Sequence, residues 1–117
     1  MKKGKLLKSF RYAFEGIAFC VRHERNVRIH LAIAAIVIAC GLYFQVETEE
    51  WIVLLLTIGI VISIEMLNTA VEKAVDLTTS EFHPLAKLAK DIAAGAVLLF
   101  SFVAAIIGTV IFLPYFF

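Results

Sequence analysis

Three long apolar runs dominate the chain, and the second does not stay apolar. The first extends from about Ile29 to Val46 with His30 as its only acidic or basic side chain. The second starts at Trp51 and meets no charge until Glu65, and the third follows Asp91 and is uncharged through Phe117. About 20 helical residues cross a hydrocarbon core about 30 Å thick, at about 1.5 Å per residue. The third run is ample and the first is near the minimum. The second is long enough only if Glu65 and Asn68 lie inside the membrane. The runs predict an all-α integral membrane fold, with residues 29–117 forming a three-span domain (spans over about 29–46, 51–72 and 92–113) and residues 1–28 lying outside it.

Composition agrees. Of 117 residues, 62% are hydrophobic and only 18% charged, and the mean hydropathy is +0.92, whereas a soluble domain is about half apolar and a quarter charged. A disordered chain, a basic nucleic-acid binder and a disulfide-stapled secreted module are excluded as classes. Cys20 and Cys40 have neither the close spacing nor the neighbouring histidines of a metal or redox pair, so both are expected to be small packing residues. The first apolar run comes too late for a signal peptide.

Charge distribution sets the expected orientation. Residues 1–28 carry Lys2, Lys3, Lys5, Lys8, Arg11, Arg22, Arg25 and Arg28, and the other three of the 11 basic residues are Lys73, Lys87 and Lys90. The expected loop between the first two spans, Glu47-Thr48-Glu49-Glu50, has none. Three spans therefore put every basic residue on one side, which the positive-inside rule makes cytoplasmic, with the C-terminus outside. Within the N-terminal segment, Leu6, Leu7, Phe10, Phe14, Ile17, Ala18 and Val21 recur at three- and four-residue steps from Lys5 to Arg22. That period predicts an amphipathic helix lying in the interface. Pro84 suits the first turn of the third spanning helix.

The segment from Glu65 to Asp76 carries the chemistry. At about 100° per residue, Glu72 and Asp76 each fall about 20° from Glu65, on opposite sides, and Asn68 about 60° away. Three carboxylates and an amide thus line one stripe, climbing from about 21 Å along the axis at Glu65 to about 31 Å at Glu72, counted from Trp51. A carboxylate inside the bilayer must face protein or a wet cleft, and it is a functional candidate by default. Glu65 can act as a general base for an alcohol at headgroup depth. Glu72, nearer water, suits Mg²⁺ on a nucleotide, an ion that takes one or two carboxylates and keeps the phosphates. Lys90 and Asp91 could hold phosphate and orient the complex. The plain alternative is that the polar groups only join helices; it is the better reading for Asn68 and Thr69 alone, but not for three aligned acids. His23, His30 and His83 show no metal-binding spacing, and the chain has neither G-x-x-x-x-G-K-[ST] nor G-x-G-x-x-G.

The string Glu65-Met66-Leu67-Asn68-Thr69-Ala70-Val71-Glu72-Lys73-Ala74-Val75-Asp76 resembles the signature of the prokaryotic diacylglycerol kinase family, which includes the undecaprenol kinases of Gram-positive bacteria. Glu24 followed by Asn26 and Arg28, and the block Ala89-Lys90-Asp91-Ile92-Ala93-Ala94-Gly95-Ala96-Val97, extend the resemblance over nearly the whole chain. The resemblance implies an ATP- and Mg²⁺-dependent lipid kinase of the bacterial cytoplasmic membrane, a homotrimeric helical bundle with active sites between subunits. It makes Glu65 the base that accepts the lipid hydroxyl proton, and Glu24 and Glu72 the metal ligands. Asn68, Asp76, Lys90 and Asp91 match further site positions. Glu81-Phe82-His83 matches a nucleotide-contacting loop, and Tyr12 a nucleotide-side position. Lys5 replaces an Arg of some relatives and lacks its planar fork. His30, standing where the Gram-negative enzymes carry an acid, and Phe82-His83-Pro84-Leu85-Ala86-Lys87 resemble the Gram-positive branch. That leans the substrate towards undecaprenol, with diacylglycerol as the alternative.

Two other classes compete with a kinase. A small proton-coupled transporter would use Glu65 as its carrier carboxylate, although the acids crowd the cytoplasmic end. A scaffold subunit would need the acids only for assembly. The small residues Ala93, Ala94, Gly95 and Ala96 allow close helix contact, within one subunit or between subunits.

Overall fold

One residue out of helical conformation, Glu24 at φ −105° and ψ 112°, divides the N-terminal half into α1 (Lys2–His23) and α2 (Arg25–Phe44). The computed structural model describes residues 2–117; Met1 and the side chains of Lys2 and Lys3, counted above in the basic charge, lie outside the described residues. Arg28 closes the junction: its Nη1 donates to the carbonyls of Arg22 at 2.7 Å and Val21 at 3.3 Å. Those are among the carbonyls that a helix C-terminus leaves without partners, and a cation there also meets the negative end of the helix dipole. α1 therefore passes into α2, the first of the long apolar helices, through Glu24.

Two more helices follow, α3 (Thr48–Thr78) and α4 (Pro84–Phe116), and every regular element among the described residues is helical. α2, α3 and α4 are each long and apolar enough to cross a membrane. α2 stops two residues short of Val46 because Gln45 turns left-handed at φ 52°, with its N–H on the Gly41 carbonyl. Val46 then folds back into the core. The acids expected to form a loop instead begin α3: the Glu50 carboxylate accepts the Glu47 N–H at 3.1 Å, and Glu49 and Glu50 lie in the first turn. Negative charge is favourable at that end of a helix dipole. At about 1.5 Å per residue, the 31 residues of α3 extend about 46 Å. The helix can therefore cross the bilayer and still carry Glu72 and Asp76 beyond it. α4 begins at Pro84, as expected, with His83 as its N-cap: Nδ1 accepts the Leu85 N–H at 3.1 Å.

α3 packs along both α2 and α4, while α1 touches α2 and α3. At the α2–α3 turn, Val46, Leu54 and Ile111 form a buried cluster against which Phe44, Trp51, Phe112 and Tyr115 pack. The Tyr115 hydroxyl donates to Glu50, tying the end of α4 to the start of α3. Gly41 is buried against the Trp51 ring, and a Cβ there would approach the ring to 2.6 Å. Gly41→Ala should therefore destabilise the fold by about 1–3 kcal/mol, the usual effect of overpacking. The thermal midpoint in detergent would fall, and Trp51→Leu in the same chain should recover part of the loss. An unchanged midpoint for Gly41→Ala would show that the ring moves aside freely.

Candidate active site

From the aromatic end, where Phe112 and Phe116 line it, a mainly apolar cleft of about 560 Å³ runs between α2, α3 and α4, walled also by Ala34, Thr57, Val61 and Ala104. Among the described residues, His30 of α2 is the only acidic or basic side chain on its wall. Across from it lies Glu65 of α3, one of the most buried residues of the chain at 3% exposure. The closest approach, His30 Nε2 to Glu65 Oε2, is 3.9 Å, too long for a direct hydrogen bond. The charged stripe thus has its deep end inside the protein, as a carboxylate at membrane depth must.

One turn further along α3, Asn68 and Thr69 are buried as well. Thr69 bonds back to the Glu65 carbonyl at 3.2 Å, the local satisfaction expected of a helix-interior threonine. Asn68 Nδ2 donates to Glu72 Oε1 at 3.0 Å, fixing a carboxylate that is itself exposed. Asn68 Oδ1 is buried without a hydrogen-bond partner. Buried acceptors are nearly always satisfied, so this one, beside Glu72, is suited to a ligand.

Glu24 stands at the α1–α2 junction, half-buried, and its side chain caps no helix. One turn before it, Cys20 is buried. Burial, then the negative charges of Glu24 and Glu65, push the Cys20 thiol above its ordinary value, with Lys73 opposing them. The end of α1 packs on α3 as well as on α2. Lys73 also lies over the Phe19 ring, 5.4 Å from its centre, holding α1 against α3. Both cysteines are free, as small packing residues would be.

Beyond the cleft, Lys90 Nζ donates to Asp76 Oδ1 at 2.6 Å, joining α4 to the end of α3, while Asp91 is paired with Lys87 at 2.6 Å. Lys90 and Asp91, adjacent in sequence, therefore have different partners. Glu81, Phe82 and His83 are exposed in the α3–α4 turn, where Thr79 Oγ1 accepts the Glu81 N–H at 3.1 Å. Tyr12 is exposed on α1. Among the described residues no hydrogen bond or ion pair links Tyr12 or the 81–83 turn to the acidic stripe. The proximity of His30 to Glu65 had no signal in the sequence, because it is made across two helices 35 positions apart.

The donor set tests the fit of a magnesium–nucleotide complex. No group of three or more His, Cys, Asp or Glu side chains able to hold a metal occurs among the described residues. A dedicated protein cage would need one, whereas Mg²⁺ carried by a nucleotide needs one or two carboxylates beside the phosphates. Glu72 and the unpartnered Asn68 oxygen, one helical turn apart, are hard oxygen donors that fit that need; no hydrogen bond or ion pair among the described residues joins Glu24 to them.

A sequence model described as prokaryotic diacylglycerol kinase matches residues 11–112. The chain is 48% identical over 110 residues to the protein named undecaprenol kinase of Bacillus subtilis (strain 168), covering 94% of this chain and 89% of that one. It is 46% identical over 110 residues to the protein named diacylglycerol kinase of Synechocystis sp., covering 93% of this chain and 63% of that one. With the diacylglycerol kinase of Escherichia coli (strain K12) the identity is 33% over 104 residues, covering 87% and 84%.

Proposed function

The chain belongs to the prokaryotic diacylglycerol kinase family, a family of membrane lipid kinases, and on that premise we propose that it phosphorylates undecaprenol with ATP at the cytoplasmic face of a bacterial membrane. The observation that carries this reading is a buried carboxylate, Glu65, 3.9 Å from His30, which stands on the wall of a mainly apolar cleft. A long-chain alcohol presents the same division, one hydroxyl on a hydrocarbon tail. Membership of a kinase family replaces the transporter and scaffold readings.

Glu65 takes the proton of the lipid hydroxyl as its oxygen attacks the terminal phosphorus of ATP. One P–O bond forms, the phosphoanhydride bond breaks and ADP leaves. Transfer of this kind depends mainly on positioning and charge neutralisation. Glu72, steadied by Asn68, and Glu24 are the residues that would hold Mg²⁺, which when bound neutralises phosphate charge. Lys90, kept in place by Asp76, supplies a cation at the phosphate end. Tyr12 and the 81–83 turn, exposed on the same side of the membrane in this topology, are offered to the nucleotide base and sugar. The basic residues of α1 and the α3–α4 region support an N-terminus in the cytoplasm and a C-terminus outside.

Assembly into a homotrimer completes the reading. Ala94, Gly95 and Ala96 are exposed in the single chain, and a Cβ on Gly95 would meet nothing within 4 Å. This favours contact between subunits over packing within one. Diacylglycerol is the second substrate to consider, because the Synechocystis and E. coli relatives carry that name. The test is Mg²⁺-dependent phosphorylation of undecaprenol and diacylglycerol side by side in mixed micelles. We expect a higher kcat/KM for undecaprenol. The opposite order would keep the kinase and change its lipid, and turnover of neither would overturn the proposal.

A further inference from the structure

The gap between His30 and Glu65 has the dimensions of a seat for one oxygen atom. At 3.9 Å between Nε2 and Oε2, a single hydroxyl can sit within about 2.7–2.9 Å of both, its two hydrogen bonds meeting at about 90°. The two roles are complementary. A carboxylate can only accept a proton, and an imidazole with hydrogen on Nε2 can donate one. The side chains are 18% and 4% exposed, so little water competes for the place, and the cleft that His30 borders is mainly apolar.

We propose that His30 is a substrate-positioning residue, whose Nε2–H donates a hydrogen bond to the acceptor alcohol's oxygen while that hydroxyl donates to Glu65. The inference rests on the kinase reading above and adds to it the group that aims the hydroxyl. With two fixed partners, the alcohol's remaining lone pair has one direction left, towards the phosphate. A hydroxyl held by Glu65 alone could swing about that single bond. Orientation of this kind is worth large factors in rate, because displacement of about 1 Å can lower a rate about 10²-fold. The chain of the alcohol then leaves the seat along the cleft wall that His30 shares with Ala34 and Val37.

The experiment compares wild type with His30→Leu, His30→Gln and His30→Asn, in mixed micelles of undecaprenol with ATP and Mg²⁺, varying lipid and ATP separately. A glutamine amide nitrogen reaches roughly where Nε2 lies, whereas that of asparagine is one methylene short. His30→Leu and His30→Asn should each lose about tenfold in kcat/KM for the lipid, the effect of one hydrogen bond to a reacting group. The KM for ATP should stay the same, and His30→Gln should stay within about threefold of wild type. Should the leucine variant fail to assemble in detergent, the asparagine–glutamine contrast decides alone, since both keep a polar amide. Equal lipid kcat/KM in all assembled variants, or an ATP KM that worsens in step, would overturn the positioning role with the kinase reading intact. A wild-type protein that phosphorylates no lipid alcohol would overturn both.

Discussion

Glu65→Gln is expected to lower kcat by about 10²–10⁴, the range lost when a positioned general base is removed, with the ATP KM within about twofold of wild type. The substitution is nearly isosteric, so the packing of a residue 3% exposed is preserved and the helix carries on through it. What disappears is the capacity to take a proton: an amide can still accept a hydrogen bond, but it does not become an acid. Glu65→Asp tests position separately, because it keeps the base and withdraws it by one methylene; a loss of about 10² would be in line with the effect of small misplacements. The readouts are phosphate transfer to undecaprenol and the elution volume of the protein in detergent. If Glu65→Gln assembled normally and kept more than a tenth of wild-type turnover, the base would have to be found elsewhere. If it failed to assemble, the acid would be a packing group, as the scaffold reading held.

Why the acidic stripe could be read from the sequence while its partners could not follows from the range of the forces involved. A helical period is local, so Glu65, Glu72 and Asp76 fall on one side of α3 whatever surrounds them, and the hydrocarbon thickness alone says which is deepest. Pro84 is local in the same way: its fixed φ fits a first turn, and α4 starts there. Boundaries set by competition were harder to see. The apolar run continues to Val46, but the helix ends at Phe44 because Gln45 turns left-handed and lets Val46 fold inward. A glutamine does not advertise that conformation as a glycine would. The break at Glu24 was hidden too, since Arg22, His23, Arg25 and Asn26 read as one polar stretch; what makes the break tolerable is Arg28 reaching back to the end of α1. The 3.9 Å approach of His30 to Glu65 depends on how two helices lean together, a matter of packing that no local pattern encodes. The family signature contributed what geometry alone did not: a reaction, and a role for Glu24 outside the stripe.

Glu72→Ala should reduce kcat/KM for ATP by about 10²-fold or more, since a metal's stabilisation of phosphoryl charge is worth several kcal/mol, and should raise the Mg²⁺ concentration needed for half-maximal rate. The expectation differs in kind from that for Glu65. Glu72 is exposed, but its removal leaves the buried Asn68 Nδ2 without its acceptor, at a cost of about 1–3 kcal/mol, so the thermal midpoint in detergent is measured beside activity to separate loss of function from unfolding. Its lipid KM should stay near that of wild type, because the residue lies two helical turns from the cleft end of the stripe. Asn68 provides the internal check. It is buried, it orients the Glu72 carboxylate at 3.0 Å and it keeps one oxygen unpartnered. Asn68→Asp retains an oxygen but loses the donated hydrogen bond, and the loss of a group that orients a metal ligand typically lowers affinity about 10–100-fold. The measurements are ATP titrations at several fixed Mg²⁺ concentrations and, independently of turnover, the binding of Mn²⁺–ATP followed by electron paramagnetic resonance. A Glu72→Ala protein that bound Mn²⁺–ATP as tightly as wild type would remove Glu72 from the metal site. It would leave the exposed end of the stripe, with its link through Asp76 to Lys90, as a clamp between helices.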